Sequence, residues 1–201
     1  MSWIQTFTGR KFDVLKPRAE DVCWVDIAHA LAHQCRFNGH VTRFYSVAHH
    51  CVVASHHVPE RFALYVLLHD AAEAYVGDMP KPVKGLFPEF SALEDRILAV
   101  VHEAAGLEPG HPYEAAQWVC GIDARMLLTE KQQLMGESPE RWPVEESGVE
   151  PVDVLLSSEP DFEIFAGRYL RRLAELGVRV ESLTAKTQRR EGGRDEGLLG
   201  D

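Results

Sequence analysis

The sequence predicts an all-α protein, a single helical domain of about six helices, and three observations carry that expectation. Apolar residues recur at three- and four-residue intervals through six stretches after residue 20. Proline- and glycine-rich segments separate those stretches. Only the first 20 residues alternate, and weakly, in the manner of a strand. A chain of 201 residues suits one domain with a substantial core.

The elements follow in order. Residues 1–20, with Trp3, Phe7, Gly9, Phe12 and Pro17, read as an irregular N-terminal arm or short hairpin. A first helix starts near Asp21, with Val22, Val25, Ala28, Leu31 and Ala32 on its stripe, and Asn38-Gly39 breaks it. "TRFYSVAHHCVVASHHV" forms a second helix stopped by Pro59, and "PERFALYVLLHDAAEAYV" a third ended by Gly77. "GDMPKPVKGLFPEF" is expected to be loop, because three prolines interrupt it. A fourth helix, "SALEDRILAVVHEAAGL", has Ser91 as its N-cap and Glu94 as capping-box partner. "PYEAAQWVCGIDARMLLTEKQQLM" is a fifth; a loop and the amphipathic "EPDFEIFAGRYLRRLAELGV" complete the domain, 21–180. The polar, glycine-rich segment 181–201 is expected to be a disordered tail.

The formal net charge of −10 excludes a duplex nucleic-acid binder, which needs a basic face. It leaves room for a phosphorylated substrate, since a bound cation reverses the potential within one pocket. No apolar run approaches the roughly 20 residues of a membrane span, and the N-terminus lacks a signal-peptide core, so no membrane association and a cytoplasmic location are expected. Cys23, Cys35, Cys51 and Cys120 have no C-x-x-C spacing and read as reduced thiols in or near the core.

The third helix carries the chemistry. "FALYVLLHDAAEAYV" is apolar on almost every face, so it should be buried, yet it holds His69, Asp70 and Glu73. Glu73 follows His69 by four residues and Asp70 by three, which places all three on one helix face. A buried carboxylate needs a cation or hydrogen bonds. Imidazole with carboxylate suits zinc, manganese, cobalt or iron, although a His–Asp pair buried in the core satisfies the same spacing. Two further helices add donors. His50 shares a face with Val47, Val53 and Ala54, and Asp123 lies on the stripe of Ala116, Val119, Met126 and Leu127. His49, beside His50, is the alternative donor. His29, His33, His56, His57, His102 and His111 read as structural or solvated.

These residues resemble the HD-domain phosphohydrolases, whose pattern is a His, a His-Asp doublet and a distant Asp on helices around one metal. "YSVAHHCVV" supplies His50, "LLHDAAEAY" supplies His69 and Asp70, and "CGIDARMLL" supplies Asp123. "HDAAEAYVGDMPKPVK" is similar to the bacterial 5′-deoxynucleotidase branch, and "CRFNGHVTRFYSVAHH" to phage deoxynucleoside triphosphohydrolases. The resemblance spans about residues 20–135. It implies a divalent transition metal (cobalt, manganese or zinc, with magnesium as a candidate second ion) held by His50, His69, Asp70 and Asp123. Glu73 is the candidate to position or deprotonate water, and the resemblance gives Asp78 a catalytic or water-orienting role. A nucleotide substrate needs cations, for which Arg36 and Lys84 are the candidates; Trp3, Trp24 and Phe37 are candidate platforms for a base. The expected activity is release of nucleoside and tripolyphosphate from a deoxynucleoside triphosphate, dATP being a candidate. The alternatives are a 5′-deoxynucleotidase, a non-catalytic metal-bound nucleotide sensor and a helical interaction module. The resemblance also implies a homo-oligomer, at least a dimer.

Overall fold

The computed structural model of the protein describes residues 2–108, 112–157 and 162–180. His111 and the expected disordered tail lie outside the described residues. The chain opens with a two-stranded antiparallel hairpin, β1 (Trp3–Gln5) and β2 (Lys11–Asp13), in the register Trp3 opposite Asp13. Its face is set by Phe12, which is fully buried and stacks on Tyr75 at 3.7 Å. Its turn is tied to the first helix by Thr8, whose N–H and hydroxyl donate to the Asp26 carboxylate at 2.7 and 3.0 Å.

The remainder is helical. Six helices of nine or more residues are α1 (Trp24–His33), α2 (Val47–Ser55), α3 (Glu60–Leu68), α6 (Pro88–Ala104), α7 (Tyr113–Leu134) and α9 (Phe162–Glu175). Short α4 (Glu73–Val76), α5 (Lys81–Lys84) and α8 (Pro143–Glu146), with 3-10 turns at Ala19–Asp21 and Arg36–Gly39, complete the helical elements of the described residues. Helix α1 packs on α9, α2 and α4, and it is buried on most faces because Trp24, Val25, Ile27, Ala28, Leu31 and Ala32 leave little polar surface to present. Around it lies the main core, with Val47, Leu67, Leu68, Ile97, Phe165, Tyr169 and Leu173. A second cluster under α7 joins Tyr45, Ala54, Val66, Ile122, Met126, Leu134 and Leu156. Both clusters draw on α2 and α3, so polar side chains of those helices that lie between the clusters face one another.

Three expectations are corrected. The third helix is not continuous over 59–76: it stops at Leu68 and resumes at Glu73. The intervening turns bond i to i+3, as in Ala71 N–H to Leu68 and Glu73 N–H to Asp70. His69 Nδ1 takes the Val66 carbonyl at 2.7 Å, the acceptor an α-helical Asp70 N–H would use. The segment after Gly77 is not wholly loop: Lys81–Lys84 forms one turn, with Pro82 near its start, where a missing N–H costs nothing. For the same reason α6 starts at Pro88, earlier than Ser91, and Glu94 pairs with Lys84 rather than closing a capping box.

Among the described residues no helix is long and apolar enough to cross a membrane. At the far end of α2, buried Arg172 of α9 donates to the Ser55 hydroxyl at 3.2 Å and the Ser55 carbonyl at 3.3 Å, satisfying a helix terminus that the core would otherwise leave unpaired.

Candidate metal centre

His50, in the middle of α2, is fully buried. Its Nε2 lies 3.3 Å from His69 Nε2, 3.8 Å from Asp70 Oδ2 and 3.5 Å from Asp123 Oδ1. His69 Nε2 lies 3.2 Å from Asp70 Oδ2. Donors about 2.1 Å from one ion sit about 3–4 Å apart, so these spacings fit a shared cation. His49, the alternative donor, turns away: its ring stacks on Phe165 at 4.2 Å, and burial, then Arg168, push its pKa down to about 4.

The direction of the lone pairs argues for a cation. His69 Nδ1 bonds the Val66 carbonyl, so it carries the proton, and Nε2 presents a lone pair. His50 Nδ1 bonds Glu130 Oε1 at 2.6 Å, which turns its Nε2 to the same point. Two imidazole lone pairs thus face carboxylate oxygens without a donor among them, with Asp70 and Asp123 in separate groups of close donors. Such a group is stable around a cation and repulsive without one. His50, His69 and Asp123 form one group able to hold a metal ion, and His69, Asp70 and Cys51 a second that shares His69. Cys51 is fully buried with its Sγ 3.9 Å from Asp70 Oδ2, a weak donor against that carboxylate. Asp123 is the open side of the group, its side chain 39% exposed.

Glu130 belongs to the candidate site and was not expected from the sequence. It lies two turns after Asp123 on the same face of α7 and is fully buried. Its carboxylate takes His50 on one oxygen and Arg36 Nε on the other, the latter at 2.9 Å. Burial pushes its pKa up, but Arg36 and His50 outweigh burial and hold it below the ordinary range. A carboxylate on the apolar stripe of Met126 and Leu134 was the available signal. Arg36 is itself committed: it pairs with Glu130 and lies 3.6 Å from Asp70 Oδ2. The next two residues, Phe37 and Asn38, have φ of 56° and 50°, left-handed backbone that a bulky Phe rarely adopts. The bond from Arg36 N–H to the Tyr45 carbonyl at 3.0 Å holds that strained turn against the site. Of the expected base platforms, Phe37 adjoins the site through Arg36, whereas Trp24 is buried in the core and Trp3 lies on the hairpin.

Glu73 and Asp78 border the cluster through α4. Glu73 is buried with Oε2 unpartnered. Burial, with Asp70 and Asp78 nearby, pushes its pKa up to about 10. Burial also raises Asp78, against the pull of Arg36. Asp70 is the reverse: burial pushes it up, but His69, His50 and Arg36 together hold it below the ordinary carboxylate range. Lys84 pairs with Glu94 at 2.8 Å and sits 3.9 Å from Glu73 Oε1.

Gln34, just past the end of α1, clamps this segment at both ends. Its Nε2 donates to the Glu73 carbonyl at 2.9 Å and its Oε1 accepts from the Asp78 N–H at 3.0 Å. Gln34→Ala is therefore expected to cost about 1–2 kcal/mol, the Asp78 N–H losing its acceptor while the Glu73 carbonyl keeps the Gly77 N–H at 2.8 Å. Metal affinity should change little, since none of the four donors loses a contact. Urea unfolding paired with a metal titration checks both, and a large loss of metal affinity would contradict the assignment.

No family model matches the chain. It is 43% identical over 146 residues to the uncharacterized protein YfdR of Escherichia coli strain K12, covering 72% of this chain and 79% of that protein. It is 35% identical over 147 residues to the uncharacterized protein RCAP_rcc00048 of Rhodobacter capsulatus, covering 68% of this chain and 75% of that protein.

Proposed function

The chain belongs to the family of YfdR and RCAP_rcc00048, and we propose that it is a metal-dependent phosphohydrolase of the HD-domain type acting on deoxynucleotides. The observation that carries this reading is that His50 Nε2 and His69 Nε2 face each other with Asp70 Oδ2 and Asp123 Oδ1 beside them, both imidazole N–H groups turned outward. A divalent cation bound there, cobalt, manganese or zinc by donor type, supplies Lewis-acid polarisation of a phosphoryl oxygen and makes water more acidic.

The chain's own residues then have distinct tasks. Glu130 and the Val66 carbonyl hold the two imidazoles in the tautomer that offers Nε2. Glu73, buried with Oε2 unpartnered and under the influence of Asp70, takes the proton from the attacking water. A cation bound there would counteract the neighbouring negative charge and lower the raised pKa of Glu73. The water oxygen bonds to phosphorus, the phosphorus–O5′ bond breaks, and the leaving oxygen takes a proton from Glu73 or Asp78. Arg36 and Lys84 border the site as candidate phosphate contacts.

The preferred substrate is a deoxynucleoside triphosphate, attacked at the α-phosphorus to give nucleoside and tripolyphosphate. One observation favours a monophosphate instead. Arg36 and Lys84 are both paired with carboxylates, and a triphosphate, with more charge to balance, asks for more unpaired cations than a monophosphate. A homo-oligomer, at least a dimer, and a cytoplasmic location belong to the same proposal. The test is incubation of the pure protein, loaded in turn with cobalt, manganese, zinc or magnesium, with deoxynucleoside mono- and triphosphates. Nucleoside plus tripolyphosphate is the expected result. Nucleoside and phosphate from monophosphates alone moves the assignment to a 5′-deoxynucleotidase. No product with any metal, despite metal binding, overturns the hydrolase and leaves a sensor.

A further inference from the structure

Helix α7 has a second working face. Asp123 turns to the metal cluster, while Trp118, Gly121, Ile122 and Arg125 line an open cavity of about 490 Å³ that His57 and Val58 border. That volume lies within the range of small-molecule sites, roughly 300–1,000 Å³.

Gly121 is the first feature that asks for a reason. It sits inside a 22-residue helix, where glycine costs about 1 kcal/mol relative to alanine. Packing supplies none, for a Cβ built there meets nothing within 4 Å. Its backbone is ordinary helix rather than left-handed, so no turn requires it either. What the missing side chain leaves open is the floor of this cavity.

Arg125 is the second. Its Nε donates to the Glu150 carbonyl at 3.1 Å and one terminal nitrogen reaches the Pro151 carbonyl at 3.5 Å. These bonds fix the guanidinium plane but do not neutralise it. Among the described residues its bonds run to carbonyls and not to a carboxylate, in a chain of net charge −10. Glu150 also lines the cavity, yet meets Arg125 through its carbonyl. His57 joins from the opposite wall; burial, then the nearby Arg125, lower its pKa. The third feature is the Trp118 indole, 39% exposed and packed against Phe62 at 5.8 Å.

We propose that this cavity binds a nucleoside monophosphate, its planar base against Trp118 over the open backbone of Gly121 and its phosphate on Arg125. Ring and cation stand seven residues apart, about 10.5 Å along the helix axis. That span fits an aromatic ring and an anion separated by a sugar, and is too long for a ring that carries its acid group directly. A stacked base uses the flat indole face, and a phosphate uses the fork of a guanidinium. The site is independent of the metal cluster and stands whether or not the hydrolase reading holds.

Adenosine 5′-monophosphate is titrated calorimetrically into the metal-stripped full chain in EDTA, with adenosine and inorganic phosphate as partial probes. Wild type and His69→Ala are expected to bind it alike. Arg125→Gln is expected to weaken binding about tenfold or more by removing a charge-assisted contact. Gly121→Leu, which fills the floor and improves helix propensity, is expected to abolish it while the melting temperature holds or rises. Adenosine and phosphate should each bind more weakly than the whole nucleotide. Absence of binding to wild type, equal binding by Arg125→Gln and Gly121→Leu, or loss confined to His69→Ala would each overturn the proposal. A change of oligomeric state in Gly121→Leu without nucleotide binding to wild type also overturns it, and gives the cavity to a second copy of the chain.

Discussion

Glu130→Ala is expected to lower the unfolding free energy by about 3–5 kcal/mol and to weaken metal binding about 10- to 100-fold. The cause is one side chain with two obligations. The substitution leaves the Arg36 guanidinium, largely buried, with Asp70 at 3.6 Å as its remaining ion-pair partner among the described residues. It also removes the acceptor that fixes the His50 ring, so Nε2 is no longer held toward the cluster. Glu130→Gln keeps the shape and one acceptor oxygen, so its loss of stability should be the smaller of the two. Urea unfolding of the metal-free chain separates the first effect from the second, which a competition titration with a chromogenic chelator reads. A neutral result for Glu130→Ala in both would mean that the buried triad of His50, Glu130 and Arg36 has no hold on the fold or the site.

Glu73→Gln is expected to lower turnover by about 10²- to 10⁴-fold, the range for a lost proton-transfer group, while metal binding persists. It should also change how stability depends on pH. In the metal-free chain the Glu73 pKa is raised from its ordinary 4.5 to about 10 by burial and by Asp70 and Asp78. Between those values the folded state keeps a proton that the unfolded chain has released. Stability from this group is thus fully present below pH 4.5 and falls as pH rises toward 10, by at most about 1.4 kcal/mol per pH unit. Glu73→Gln removes that slope, leaving a variant that is the more stable of the two at high pH. Thermal unfolding across that range in EDTA reads the slope directly. Parallel curves for wild type and variant would show that Glu73 is ionised in the folded state and not under strain.

Much of the architecture and most of the cluster could be read before any coordinates. The six long helices announce themselves because each must bury one apolar stripe, and that demand is local and periodic. His69 and Asp70 stand out for the same reason: a charge within an apolar helix contradicts its surroundings, and the contradiction is visible in the sequence. His50 and Asp123 follow as polar residues on otherwise apolar stripes. The break of the third helix at His69 is less legible, since it depends on a ring nitrogen taking the Val66 carbonyl from the backbone.

What only the tertiary structure decided are the partnerships across the chain. Arg36 reads from sequence as a free cation for phosphate, yet Glu130, 94 residues away, already holds it. Gln34 carries no motif, and its clamp on Glu73 and Asp78 exists only because α1 ends beside α4. The cavity at Gly121 depends on the Val58 and Glu150 segments lying beside one face of α7. Periodicity reports which face of an element is buried, because that follows from its own residues. It is silent on which distant residue the face will meet, because that is set by how the helices pack.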